Sequence, residues 1–247
     1  MKRAAMLALV LLATLLPAAP AAASVPDQLA HVGNARQLIV VTGGSWSSTH
    51  ATLRAYQRGS DGKWRQVFAA MPARSGYGGW VWAAQRVQDT GTTPAGTFTI
   101  TRAFGVRADP GTRLPYRRVD ANDYWVGDRR DPQTYNVFQP SASPHRTWRI
   151  SQAERLAAYP TQYAYAAVIN FNRPAGVHWN ATLGEYVTGT PSHVGRGSAV
   201  FLHASGKGST AGCVSVSRTN LVRLLKWLRP AQHPRIVMGP ASVINQA

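Results

Sequence analysis

One cysteine occurs in the 247 residues, and its setting is chemically suggestive. Cys213 follows a small-residue tract running from Gly206 through Gly208, Ser209, Thr210 and Ala211 to Gly212, and it precedes the short run Val214-Ser215-Val216. Ten positions upstream, His203 closes the apolar stretch Ala199-Val200-Phe201-Leu202. A strand end, a glycine-rich turn and the start of a neighbouring strand would bring imidazole and sulfur to one sheet edge. The thiolate is the nucleophilic form of cysteine, and an adjacent imidazole both takes its proton and stabilises the charge. Gly212 carries no side chain, so a carbonyl can approach the N–H of Cys213, as an oxyanion hole requires. The spacing also permits a plainer arrangement, with the thiol a small apolar filler and the histidine a hydrogen-bonded strand end.

Other chemistries lack their usual supports. No G-x-S-x-G frames a serine, no H-E-x-x-H exists, and glutamate occurs only as Glu154 and Glu185. A lone thiol excludes an intramolecular disulfide, a cysteine-rich zinc cluster and iron–sulfur ligation. Eight aspartates leave paired-carboxylate glycoside hydrolysis open, but nothing in their spacing favours it. Gly206-Lys207-Gly208-Ser209-Thr210 imitates a phosphate loop, yet Gly rather than Ser or Thr follows Lys207. Between residues 103 and 149, Asp109, Asp120, Asp123, Asp128 and Asp131 alternate with arginines without the calcium-loop pattern. That composition predicts a solvated ion-pair network in an ordered insertion able to form a cleft wall. No metal or organic cofactor is expected. His193 is a second candidate base, but its Gly- and Pro-rich neighbourhood is a poor place to fix one.

The elements that must position these groups are mostly strands. Residues 37–41, 52–57, 64–70, 96–102, 164–171, 199–203 and 235–238 are rich in Val, Ile, Thr and aromatics, with Gly-Gly and Asp-Pro-Gly turn signals between them. Ser151 and Glu154 match a capping box for a short helix to Ala158, stopped by Pro160. A longer helix follows an N-cap at Ser217, with Leu221, Leu224, Leu225 and Leu228 on one face and Pro230 as its stop. The fold class is therefore mainly β with a few short helices.

Residues 1–23 read as a signal peptide: Lys2 and Arg3, an apolar stretch from Ala4 to Leu16, and Ala21-Ala22-Ala23 as the exit. An apolar stretch of about 13 residues is too short to span a bilayer, which takes roughly 20. Residues 24–36 form a lead-in, and 37–247 a single domain. No later stretch is suited to cross a membrane, so the mature chain is expected to be secreted into the cell envelope. The whole sequence has 27 Lys+Arg against 10 Asp+Glu, a formal charge of +17, and arginine supplies 23 of the cations. Anionic wall polymers suit that charge; export argues against nucleic acid.

At this point the motifs carry a resemblance. Phe201-Leu202-His203 with Ser209-Thr210-Ala211-Gly212-Cys213-Val214 resembles the His…[S/T]-x-G-C signature of the L,D-transpeptidase (YkuD-like) catalytic domain. Thr93-Pro94-Ala95-Gly96-Thr97-Phe98 is similar to that family's T-P-x-G-x-F segment. Tyr124-Trp125-Val126 and Val168-Ile169-Asn170-Phe171-Asn172 fall between them in the order of its actinobacterial-type branch. The resemblance spans roughly Gln37 to Gly239 and implies a β-sandwich or barrel-like domain acting on peptidoglycan stem peptides. It implies Cys213 as nucleophile, His203 as base oriented by a main-chain carbonyl near Ala204, and Gly212 and Cys213 as oxyanion site. Asn172 and Ser215 are expected to contact substrate, and His178 and Trp179 to lie in a surface loop or at the cleft rim. Two departures stand out: Ala211 replaces the family's second His, and Ser215 stands where Arg or Asn is usual. The residue that would anchor a donor carboxylate is thereby left unassigned. A hydrolytic or exchange enzyme with the same thioester, and a non-catalytic wall-binding protein of the same fold, remain alternatives.

Overall fold

The computed structural model describes residues 25–247; the expected signal segment, residues 1–23, lies outside them. The described residues open with a short 3₁₀ turn, Val25–Gln28. It then enters β1 (Gln37–Gly43), β2 (His50–Arg58), β3 (Trp64–Gln66), β4 (Met71–Arg74), β5 (Trp80–Trp82) and the long β6 (Thr93–Gly105). The insertion contributes β7 (Tyr116–Arg118), β8 (Tyr124–Val126) and β9 (Phe138–Gln139), and β10 (Ala153–Arg155) follows it. The remainder is β11 (Ala166–Ile169), the hairpin β12 (Ala175–Asn180) and β13 (Glu185–Thr190), β14 (Phe201–Ala204), β15 (Val214–Val216), helix α1 (Arg218–Trp227) and β16 (Arg235–Pro240).

The main sheet closes on itself. Its pairing order is β1-β16-β6-β11-β14-β15-β4-β2, and β2 pairs back onto β1 from Gln37↔Gln57 to Gly43↔Ala51. This ring is barrel-like, and β1–β16 and β14–β15 are its parallel pairs. Strand alternation divides the apolar residues between an interior and an outer layer. Ile39, Val41, Leu53, Leu202, Val214, Val216, Ile236 and Met238 share the interior cluster. Leu38, Val40, Tyr56, Trp64 and Val237 face outward and are covered by Leu29 and Ala35 of the lead-in and by Ile244 and Ala247. Burial on both faces explains why β1 reads as an unbroken apolar run.

Helix α1 forms as its sequence predicts. The Ser217 hydroxyl accepts a hydrogen bond from the Asn220 N–H at 3.3 Å, and Leu221, Leu224, Leu225 and Leu228 are fully buried in the interior cluster. Each buried leucine contributes about 1.5–3 kcal/mol of apolar transfer.

Three local expectations are corrected. The run at 64–70 is divided, with β3 ending at Gln66 and the chain turning before β4. Strand β11 is shorter than the 164–171 stretch, because Tyr163 and Ala164 close a 3₁₀ turn. The capping-box helix does not form. Residues 150–152 make a 3₁₀ turn, Ala153–Arg155 pair with β8 through Glu154↔Trp125, and a second 3₁₀ turn follows. A capping box needs its Glu to reach back to the N-cap N–H; instead the Glu154 carboxylate accepts from the Tyr163 hydroxyl at 2.6 Å.

The 103–149 insertion is ordered and packs on the outer face of β11 and β14. Trp125 meets Phe201 edge-on at 4.9 Å, and Phe104 meets the same ring at 5.0 Å. Its ion pairs are not simply solvated: Asp123 and Asp128 are buried, paired with the half-exposed Arg117 and Arg149 at 2.7 and 2.5 Å.

Candidate active site

Strands β14 and β15 lie side by side in parallel, with Leu202↔Val214, His203↔Ser215 and Ala204↔Val216 as partners. Leu202, Ala204, Val214 and Val216 point into the core. The opposite parity carries Phe201, His203, Cys213 and Ser215 to the outer face. Residues 205–213 connect the two strands, and Gly208 (φ +81°) and Gly212 (φ +133°) supply backbone conformations that other residues rarely adopt. His203, Cys213, Gly212 and Ser215 thus meet in one cleft of about 710 Å³. The segment 206–210 forms part of its rim.

The sulfur and the imidazole are each tied to main chain. Cys213 Sγ accepts from the Phe201 N–H at 3.3 Å and donates to the Ala199 carbonyl at 3.3 Å. Ala199 adopts φ +55°, and the β14 strand accordingly starts at Phe201 rather than at 199. A non-glycine residue in that region is a small strain reservoir. Burial pushes the Cys213 thiol up to about 12, with Glu154 adding to the shift and the Phe201 N–H and Arg86 opposing it. The resting thiol is neutral. Nδ1 of His203 lies 2.8 Å from the Ala204 carbonyl, so Nδ1 carries the proton and Nε2 is the basic nitrogen. Burial lowers the imidazole's pKa, and the bond to Ala204 opposes that shift.

Gly212 acts through what it lacks. A Cβ there would lie 2.7 Å from Arg86 Nη2 and 2.9 Å from the Thr92 carbonyl. Its own N–H is committed to Thr210 Oγ1 at 3.1 Å, and Thr210 Oγ1 in turn donates to the Cys213 carbonyl at 2.7 Å. The threonine therefore clamps the peptide units on either side of the sulfur.

Of the other expected residues, Ser215 lines the cleft, whereas Asn172, His178 and Trp179 do not. Ser215 is buried and accepts from the Ser205 hydroxyl at 3.3 Å. Asn172 is not among the cleft-lining residues: its Nδ2 donates to the carbonyls of His193 and Gly197 at 3.0 and 2.9 Å, and its Oδ1 accepts from the His193 N–H at 3.0 Å. It braces the loop that carries the exposed His193. His178 and Trp179 sit on β12, where Trp179 meets Tyr186 edge-on at 5.1 Å, and neither lines the cleft.

Three cleft residues escape a reading of the sequence as a site. Tyr163 packs edge-on against His203 with ring centroids 5.6 Å apart. Glu154, held by that tyrosine, is pushed up to about 7 by burial, an effect the Tyr163 hydrogen bond opposes. Its rarity as one of two glutamates was the available signal. Arg86, one of 23 arginines, offers no such signal, yet it lies buried beside Gly212.

The structure is thus a barrel-like, mainly β domain whose cleft holds one cysteine and one histidine. A family model, the YkuD L,D-transpeptidase catalytic domain, matches residues 36–238, and the chain belongs to that family. Its members act on the peptidoglycan of the cell wall. No curated protein and no solved structure matches the chain. No helix among the described residues is long and apolar enough to cross a membrane.

Proposed function

We propose that the protein is a secreted L,D-transpeptidase that forms 3→3 cross-links in peptidoglycan through a Cys213 thioester. The observation that carries this reading is the placement of His203 on β14 and of Cys213 immediately before the adjacent parallel strand β15, both lining one cleft. Sγ attacks the carbonyl of the L-centred third stem residue as its proton passes to Nε2 of His203. The S–C bond forms, the C–N bond to the terminal D-alanine breaks, and His203 returns the proton to the departing amine. The side-chain amine of a second stem then attacks the thioester, gives its proton to His203 and releases the thiol. The Cys213 N–H is the oxyanion donor we favour, with Gly212 leaving it approachable.

The neutral resting thiol fits a concerted proton transfer in the occupied cleft, where the nucleophile is freed of its proton only as the carbonyl is attacked. The net positive charge suits retention on anionic wall polymers. Intact mass after exposure to a tetrapeptide donor tests the reading. A thioester-sized increment that maps to Cys213 and is absent from Cys213→Ala is expected, and an unmodified wild-type chain would overturn it. Adding an acceptor amine should yield the cross-linked dimer; release of free tripeptide alone would identify a carboxypeptidase.

A further inference from the structure

Arg86 is a buried cation with no salt bridge among the described residues. Its side chain is 94% removed from solvent, a figure given by its 6% residual exposure. Nε donates to the Thr92 carbonyl at 2.8 Å and Nη1 to the Arg196 carbonyl at 2.9 Å. The guanidinium packs over the Phe171 ring at 5.6 Å and is wedged between Gly197 and Gly212, where a Cβ on either would collide with it. The remaining nitrogen, Nη2, has no hydrogen-bond partner among the described residues and lies beside Gly212 at the cleft. Asp89, the nearest aspartate on the same wall, is spent on Arg129 at 2.9 Å. Burying a charge is costly unless it is paired, and here the fold holds one rigidly with a donor to spare.

We propose that Arg86 is the carboxylate anchor of the acyl-donor peptide, binding the free C-terminal carboxylate one residue beyond the carbonyl that Cys213 attacks. The proposal rests on the transpeptidase reading for the identity of the donor. One residue of extended chain spans about 3.3–3.6 Å, so a carboxylate one position past the attacked bond falls within reach of a guanidinium touching the residue before the nucleophile. Arginine forks match carboxylates in geometry. The other charged groups lining the cleft are Asp89, paired with Arg129, Glu154, held by Tyr163, and Lys207 on the rim segment.

The test measures equilibrium binding of a stem tetrapeptide ending in D-alanine, as free acid and as C-terminal amide, to the full chain carrying Cys213→Ala. The acid should bind at least about tenfold more tightly than the amide. Arg86→Gln in that background should collapse the difference to within about twofold while leaving amide affinity unchanged, Arg86→Lys should retain part of it, and Lys207→Ala should retain all of it. Equal binding of acid and amide to the Arg86 protein overturns the proposal without need of any Arg86 variant. So does a difference that survives Arg86→Gln, or one lost on Lys207→Ala. The thioester mass on the wild type is read separately. Its absence would remove the transferase reading, while an acid preference lost only in Arg86→Gln would still support the anchor.

Discussion

The ring of Tyr163 joins the two ionisable walls of the cleft: its hydroxyl donates to Glu154 at 2.6 Å while its edge packs against the His203 imidazole at an interplanar angle of 85°. The carboxyl that this tyrosine holds sits near enough to the sulfur to raise the thiol's pKa. Its own pKa, about 7 against 4.5 in the unfolded chain, sets the sign of the pH dependence. The two states bind this proton equally below pH 4.5. As pH rises toward 7 the unfolded chain ionises first, so stability falls, and the full loss is present above pH 7.

Glu154→Gln should therefore match the wild type in thermal stability near pH 4 and exceed it at pH 8, by up to about 3 kcal/mol. It should also speed alkylation of Cys213 by iodoacetamide several-fold at pH 8.5, because the anion that opposes the thiolate is gone. Melting curves and alkylation rates across pH 4–9 check both. A stability difference that does not vary with pH would refute this account of the carboxyl.

His203→Gln should slow acylation of Cys213 by a carbapenem by about 10²–10⁴-fold, the usual range for a positioned base. The loss should be smaller with a strongly electrophilic alkylating agent at high pH, where solvent removes the proton. Equal loss with both reagents would point to a collapsed cleft instead.

Gly212→Ala should lose most acylation and destabilise the fold by about 1–3 kcal/mol. At φ +133° the added methyl meets both Arg86 Nη2 and the Thr92 carbonyl. Denaturant unfolding together with the carbapenem mass adduct reads both effects. Wild-type stability and labelling in this variant would show that the loop relaxes freely.

Asn172→Ala separates two roles for one side chain. A brace for residues 193–197 predicts a loss of about 1–3 kcal/mol in stability, three hydrogen bonds being removed, with donor KM changing little. A substrate contact predicts the reverse, a raised KM on an unaltered melting curve.

What the sequence made legible followed short-range physics. The Ser217 cap and the leucine spacing of α1, the apolar run of β1 and the link between Cys213 and the end of β14 are patterns within a few residues of one another. The misread 151–158 segment shows the limit. Ser151 and Glu154 satisfy a local rule for a helix, but pairing with β8 and the Tyr163 hydroxyl outweighed that preference. Ring closure through β1 and β2, and the arrival of Arg86 beside Gly212, depend on contacts across the chain that no periodicity encodes.

The main-chain tether on the sulfur has a consequence beyond turnover. Peroxide, and stray disulfides outside the reducing cytoplasm, react with thiolates far faster than with protonated thiols. A sulfur whose proton rests on Ala199 and whose lone pair engages Phe201 is a poor target for both. On the proposed reading, the same two bonds keep the nucleophile idle until a ligand arrives and give it chemical longevity outside the cytoplasm.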